Sequence, residues 1–313
     1  MTKQAMFPLV FTLAFASSNF GSAAVWHPPA NFRQSVVSAC GNRGADFGKC
    51  FADQMKAAGA SAEALAFTHA VHDDGYMQAF RSVGQIAVAS VMYPFRANEN
   101  SALLIVNGAP AVIDVDALNT LPADQMKADP AYQAMLKEHS NATLWPGDRA
   151  SGDNLLALAF ADGSREIVAD YRVQAGCHAC AVLGQAFFGF RFDPKAKLTA
   201  TEFTGFTTEY RDIHAVPQKI IRVKPNTTFT VLLPANRTTG YSWGLVPTPS
   251  RSELQLLGHD YEAAGNGIGS GGEERWSFRA SGASEYRLHF SYRRPWEKNA
   301  APAKSLEIVA RVQ

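Results

Sequence analysis

The chain is predicted to hold two domains, an α+β domain followed by an all-β sandwich, and three observations point there. Its 313 residues correspond to about two domains at ~100–200 residues each. Its texture changes near residue 214: before it, helical and strand patterns are mixed; after it, short strand candidates follow one another with almost no helical periodicity or caps. About seven short strands in ~100 residues is the count of an immunoglobulin-like sandwich. Charge divides at the same place. Residues 214–313 carry 13 Lys+Arg and 8 Asp+Glu, net +5, which leaves −4 on the remainder.

Composition sets the limits of what the chain can be. With 47% hydrophobic and 18% charged residues, it can bury sizeable cores and is neither a disordered tail, a collagen nor a coiled coil. The formal net charge of +1 supplies no bulk basic field for nucleic acid or an anionic membrane. The basic C-terminal part could still be steered toward an acidic partner, an effect that salt would weaken.

Residues 1–24 read as a signal peptide. Lys3 gives a positive start, residues 6–15 (MFPLVFTLAF) a compact apolar run, and Ser17, Ser18, Gly21, Ser22, Ala23 and Ala24 the small residues that follow. A cut after Ala24 leaves Ser22 and Ala24 at the positions a signal peptidase reads. The mature protein is therefore expected to be exported, periplasmic or secreted. No other stretch reaches ~18 uninterrupted apolar residues, so no membrane span is expected. Cys40 lies well beyond the apolar run, which argues against a lipoprotein anchor.

The four cysteines, Cys40, Cys50, Cys177 and Cys180, suit an oxidising compartment, where disulfides are the default. Three connectivities are open, and Cys40–Cys50 with Cys177–Cys180 is the one expected. A zinc site using all four is the metal alternative, although only the Cys177-His178-Ala179-Cys180 side has ligand-pair spacing. The same CxxC could be a redox dithiol, without an evident strand-to-helix context. Haem attachment fails because Ala181, not His, follows Cys180.

Domain one is taken as 25–213, an α+β domain of unknown type. Phe47, Phe51 and Met55, spaced by four, predict a helix over 44–58. Ser61 is a suitable N-cap for a second helix through residue 72. His69 and His72 share a face of that helix, with Asp73 and Asp74 following. No HExxH-type motif surrounds them, so they read as surface or capping residues. Strands are predicted over 85–93, 102–106 and 111–115, with Asn107-Gly108 as a hairpin turn. A polar helix is predicted over 124–139. Two hairpins follow: 155–160 with 166–173, and 182–192 with 198–206. Phe188, Phe190 and Phe192 alternate along one strand face and read as core. The domain shows neither a Gly-rich phosphate loop nor a G-x-S-x-G elbow. No cofactor or metal is expected, and its function is not readable.

Domain two is taken as 214–313. Strands are predicted over 220–223, 229–233, 242–245, 254–259, 275–280, 285–292 and 306–312. Its expected core is Ile220, Phe229, Val231, Leu233, Trp243, Leu256, Phe278, Leu288, Phe290, Ile308 and Val312. With no cysteine here, burial alone must hold the sheets. Three loops stand out. Asn236, Arg237, Thr238, Thr239, Gly240 and Tyr241 make a polar turn with a positive φ expected at Gly240. Residues 265–272 are Gly-rich and let another backbone approach closely. In the third, 292–296, Pro295 stiffens the chain and Trp296 is expected to be exposed. Exposed Trp with Arg is the composition of a binding hot spot. Alternate connections of a sandwich fall at one end, so the three loops could form one edge.

At these residues the sequence resembles the chagasin family of inhibitors of papain-like cysteine proteases. The resemblance covers about 216–313. The family's first loop reads N-P-T-T-G-Y/F, matched by Asn236, Thr238, Thr239, Gly240 and Tyr241. Its second has a G-x-G-G core before a strand, matched by Gly269, Ser270, Gly271 and Gly272. Its third, R-P-W/F, is matched by Arg294, Pro295 and Trp296. Each motif alone is weak: T-T-G-Y is ordinarily a hairpin turn, a Gly-rich stretch a connector, and R-P-W a strand end. Their joint order and spacing carry the signal.

The resemblance implies an immunoglobulin-like sandwich that blocks a papain-like protease reversibly and without covalent chemistry. Thr238, Thr239 and Gly240 would enter beside the catalytic cysteine and histidine. Residues 269–272 would lie on one cleft wall, and Arg294 and Trp296 on the other. Arg237 departs from the pattern by replacing the loop proline. It either loosens the loop, at a cost in ordering entropy, or recruits an acidic group near the cleft. The sequons at Asn141, Asn226 and Asn236 favour a bacterial source, since a glycan on Asn236 would obstruct the loop. The alternative class is an exported enzyme or redox protein acting through Cys177 and Cys180, with the sandwich as an accessory binding module. A third reading is an adhesin-like binder using both domains.

Overall fold

The structure is a computed structural model. It describes residues 25–26, 28–41, 46–66, 75–96, 101–106, 112–147, 155–177, 179–208, 218–246, 254–264, 271–297 and 299–313. The signal-peptide segment, His69, His72, the Asn107-Gly108 turn, His178, Gly269 and Ser270 lie outside the described residues.

The N-terminal part begins with strand β1 (Val25–Trp26) and helices α1 (Phe32–Cys40), α2 (Phe47–Ala57) and α3 (Ala62–Ala66). In α2 the predicted four-residue spacing buries Phe51 and Met55. Ser61 meets its expectation, its Oγ accepting from the Ala64 N–H at 3.2 Å. Strands β2 (Tyr76–Val83), β3 (Ile86–Met92), β4 (Ser101–Val106) and β5 (Val112–Asp114) follow. With β1 they form an antiparallel five-stranded sheet in the order β1-β2-β3-β4-β5. Every residue of β3 is buried, because its two faces meet different layers. Ala87, Ala89 and Val91 face the helices, and Ile86 and Val88 face the next sheet, as period-two alternation requires.

The predicted helix over 124–139 is two helices, α4 (Ala123–Lys127) and α5 (Pro130–Glu138). Proline drives the residue before it out of the α region, and Asp129 is extended at φ −70°, ψ 127°. Its carboxylate then caps α5, accepting from the Ala131 and Tyr132 N–H groups at 3.0 and 3.1 Å. Strands β6 (Thr143–Pro146), β7 (Leu156–Phe160), β8 (Arg165–Gln174), β9 (Val182–Phe192) and β10 (Leu198–Thr207) complete this part. Both predicted hairpins are present. The sequence reading did not include α1, β1, β2 or β6.

All seven predicted C-terminal strands exist: β11 (Gln218–Val223), β12 (Thr228–Ala235), β13 (Ser242–Val246), β14 (Leu254–Ala263), β15 (Gly272–Ala280), β16 (Glu285–Arg293) and β17 (Lys304–Val312). They form a β-sandwich. One sheet runs β11-β17-β16-β13. The other strands join the N-terminal ones in a larger sheet, β10-β9-β8-β7-β12-β15-β14, with β6 beside β8. The join is the antiparallel pairing of β7 with β12, from Phe229 opposite Phe160 to Leu232 opposite Ala157. This sheet therefore crosses the boundary the sequence draws at residue 213.

Where β7, β8, β9 and β12 run, both faces of the joined sheet are buried. Ala157, Ile167, Ala169, Phe188, Phe190, Phe192 and Leu232 turn to a core shared with β3, α4 and α5. Leu156, Leu158, Val168 and Phe187 turn the other way, into the core of the sandwich with Phe229, Val231, Trp243 and Phe278. A buried ion pair ties the same layers, Lys219 Nζ lying 2.6 Å from Asp170 Oδ1. One core expectation fails. Leu256 is 45% exposed, because β14 is an edge strand and its register slips between Leu256 and Gly258. Such a bulge re-aims side chains at sheet edges.

Candidate functional site

Strand register brings loop one, loop three and the described end of the Gly-rich loop, Gly271 and Gly272, to one edge. Ala235, the last residue before loop one, pairs with Gly272, which closes the Gly-rich loop. Ser242, just after loop one, pairs with Arg293, just before Arg294-Pro295-Trp296. Loop one thus sits between the other two.

Loop one is a tight turn held by its own polar groups. Asn236 Oδ1 accepts from the Thr238 N–H at 3.2 Å and the Thr238 hydroxyl at 2.6 Å. The Thr239 hydroxyl donates to the Asn236 carbonyl at 2.6 Å. Residues Arg237–Thr239 make one 3-10 turn, closed by Gly240 at φ 81°, a conformation that favours glycine. The Asn236 N–H donates to the Tyr292 hydroxyl at 2.8 Å, and Tyr241 stacks on Tyr292 with centroids 5.4 Å apart.

Loop three leans on loop one. Arg294 Nε donates to the Thr239 carbonyl at 3.3 Å, and its guanidinium lies 4.7 Å over the Tyr241 ring. A 3.0 Å contact with Glu297 also holds it. That hydrogen bond raises the Arg294 pKa above its already high ordinary value. Trp296 is 67% exposed, yet a Cβ on Gly240 would lie 2.5 Å from its ring. Gly240 is therefore required twice, for its φ and for the indole above it.

Of the Gly-rich loop, Gly271 and Gly272 are described. Gly271 has φ 69°, and its carbonyl accepts from the Tyr261 hydroxyl at 2.9 Å and the Ala264 N–H at 3.1 Å. A Cβ on Gly272 would collide with the Glu262 carbonyl and the Tyr261 hydroxyl.

Arg237 contacts two side chains of its own chain. Its guanidinium lies 4.5 Å over the Tyr261 ring, and Nε is 3.5 Å from Glu274 Oε1. Glu274 is fully buried. It also accepts from the Trp243 N–H at 3.2 Å and meets His259 Nε2 at 2.8 Å. Tyr261, Tyr292, His259 and Glu274 are the supporting residues that sequence reasoning did not assign. Glu274 carried a signal: it opens the inward series Glu274, Trp276, Phe278, Ala280, where one carboxylate on an apolar face demands a partner.

The edge offers an exposed indole, a small positive-φ turn and glycine backbone. Away from it, Cys40 is bridged to Cys50 and Cys177 to Cys180, the expected connectivity. All four sulfurs are held in these two bridges. Among the described residues no group of three or more His, Cys, Asp or Glu could hold a metal. None of their helices is long and apolar enough to cross a membrane.

Residues 222–310, a stretch that contains all three loops, match the model of the Chagasin family peptidase inhibitor I42. No curated protein matches the chain. Among solved structures, the crystal structure of the cysteine protease inhibitor EhICP2 from Entamoeba histolytica is similar at 20% identity, covering 31% of this chain and 87% of its own, with a TM-score of 0.27. The solution structure of Amebosin is similar at 28% identity, covering 30% and 87%, with a TM-score of 0.25. At these scores the structural likenesses carry no argument, and the family match is confined to residues 222–310.

Proposed function

We propose that the protein is an exported inhibitor of papain-like cysteine proteases. It acts reversibly and without covalent chemistry, through an edge of an immunoglobulin-like sandwich made by residues 236–241, 269–272 and 294–296. The observation that carries this reading is the family match over 222–310; the strand register that sets Ala235 beside Gly272 and Ser242 beside Arg293 supports it. Thr238, Thr239 and Gly240 enter the cleft as a compact turn. Gly271 and Gly272 give close backbone approach on one side, and Trp296 covers the other. The turn is closed by its own hydrogen bonds before any partner arrives, which lowers the ordering cost of binding. Two disulfides fit an oxidising compartment and so support export.

The test is titration of papain with the full mature chain, following residual peptidase activity, beside the Trp296→Ala variant. Activity is expected to fall with the wild type and return on dilution, with the inhibitor's mass unchanged. Loss of a hot-spot tryptophan should weaken inhibition by about 30-fold, equivalent to about 2 kcal/mol. The thermal midpoint should barely move, because the indole is 67% exposed. Full peptidase activity at micromolar wild type would sink the proposal.

A further inference from the structure

We propose that Arg237 is the positioning residue of the binding edge: its guanidinium, held between the Glu274 carboxylate and the Tyr261 ring, is a strut that fixes loop one against the Gly-rich loop. This inference rests on the inhibitor reading and adds to it the device that keeps the wedge in shape.

The contacts form a continuous chain. Loop one begins its 3-10 turn at Arg237. From there the side chain crosses to β14 and β15, reaching Tyr261 at 4.5 Å and Glu274 at 3.5 Å. Tyr261 continues the chain to loop two, its hydroxyl donating to the Gly271 carbonyl at 2.9 Å. Loop three is tied to the same turn by Arg294 on Thr239 and by Trp296 over Gly240. Anything that fixes loop one therefore fixes the relation of all three.

The energetics favour a strut over a solvent-facing charge. The Arg237 side chain is 43% exposed but Glu274 is 0%. An ion pair with one fully buried member is screened less than a surface pair. An arginine's planar fork is pre-organised, so each contact it makes costs less freedom than one made by a lysine. The guanidinium over a tyrosine face adds a cation–π contact. Arg237 also stands at the first residue of the turn after its Asn236 cap, the position where proline's fixed φ is best accommodated. A proline there would restrict the same backbone by covalent means, without a guanidinium.

That equivalence gives the test. Wild type, Arg237→Met and Arg237→Pro are compared for inhibition of papain, for dissociation rate, and for amide hydrogen exchange at Thr238, Thr239 and Gly240 by NMR. The strut predicts that Arg237→Met folds normally, exchanges these three amides faster, and inhibits about tenfold less well, chiefly through faster dissociation. Arg237→Pro should recover most of both losses. If Arg237 instead touches the protease, Arg237→Met and Arg237→Pro will be equally weak while loop exchange stays at the wild-type rate, and the proposal is overturned. Unchanged inhibition by Arg237→Met overturns it too. If the wild type does not inhibit papain, the inhibitor reading fails by itself. The exchange rates then decide the strut: faster exchange in Arg237→Met reversed in Arg237→Pro supports it, and no change refutes it.

Discussion

Phe187→Ala tests whether the sandwich owns its core or borrows part of it. Phe187 lies on β9, outside the family-matched stretch 222–310, yet it is fully buried among the sandwich residues Ile220, Phe229, Val231 and Phe278. Lys219 Nζ stands 5.9 Å from its ring centroid. Truncating a buried phenylalanine costs about 3–5 kcal/mol, transfer and cavity together. A domain's whole stability is only about 5–15 kcal/mol. The assay is urea unfolding of the full chain followed by the indole N–H resonances. Trp243 and Trp276 belong to the core that Phe187 enters, and Trp26 belongs to the distant helical layer. The expected result is a loss of about 3–5 kcal/mol in the transition reported by Trp243 and Trp276. A shift below about 1 kcal/mol in that transition would refute the shared core and make the sandwich energetically self-contained.

Two further outcomes follow from buried charges. Lys219→Met removes the 2.6 Å partner of Asp170, where both side chains are under a tenth exposed. It should cost about 3–5 kcal/mol in the same unfolding assay, and adding Asp170→Asn should return part of it. Burial raises the Glu166 carboxyl from 4.5 to about 7, with Arg191 opposing. The folded state then holds a proton that the unfolded state has released, so stability is full below about pH 4.5 and is lost as pH rises toward 7. The loss is about 3 kcal/mol. Urea midpoints across that range should show this slope, and Glu166→Gln should flatten it.

What the sequence made legible depended on how local the cause was. The seven C-terminal strands follow from alternation and turn residues within a few positions of each other. The motif loops follow from Gly240, Pro295 and Trp296, whose backbone or size is unusual where they stand. Leu256 was misjudged because alternation reports an inward face but not whether the strand lies at an edge. The break at Pro130 was visible in principle, since Asp129-Pro130 is both a cap and a helix stop. Strand β2 was hidden by Gln78, Arg81 and Ser82 interrupting its apolar residues. The joined sheet was out of reach: apolar runs in β7 and β9 imply burial on both faces, but not that β12, about seventy residues on, is the partner.

Arg81 shows how that long-range partnership reaches the binding edge. It donates from β2 to the Leu232 carbonyl at 3.1 Å and to Glu273 at 2.9 Å, with side chains 12% and 5% exposed. Glu273 immediately follows Gly272 and immediately precedes Glu274. Adjacent residues of a strand point to opposite faces, so this dipeptide serves both sides of β15. Glu274 grips Arg237 and loop one, while Glu273 grips Arg81 and the N-terminal part. The base of the Gly-rich loop is thus held from behind by the N-terminal part. Trp296 remains 67% exposed with the N-terminal part in place. The contact supports the edge without covering this part of it. An N-terminal part that shares the sheet, completes the core and anchors Glu273 belongs to the sandwich's construction.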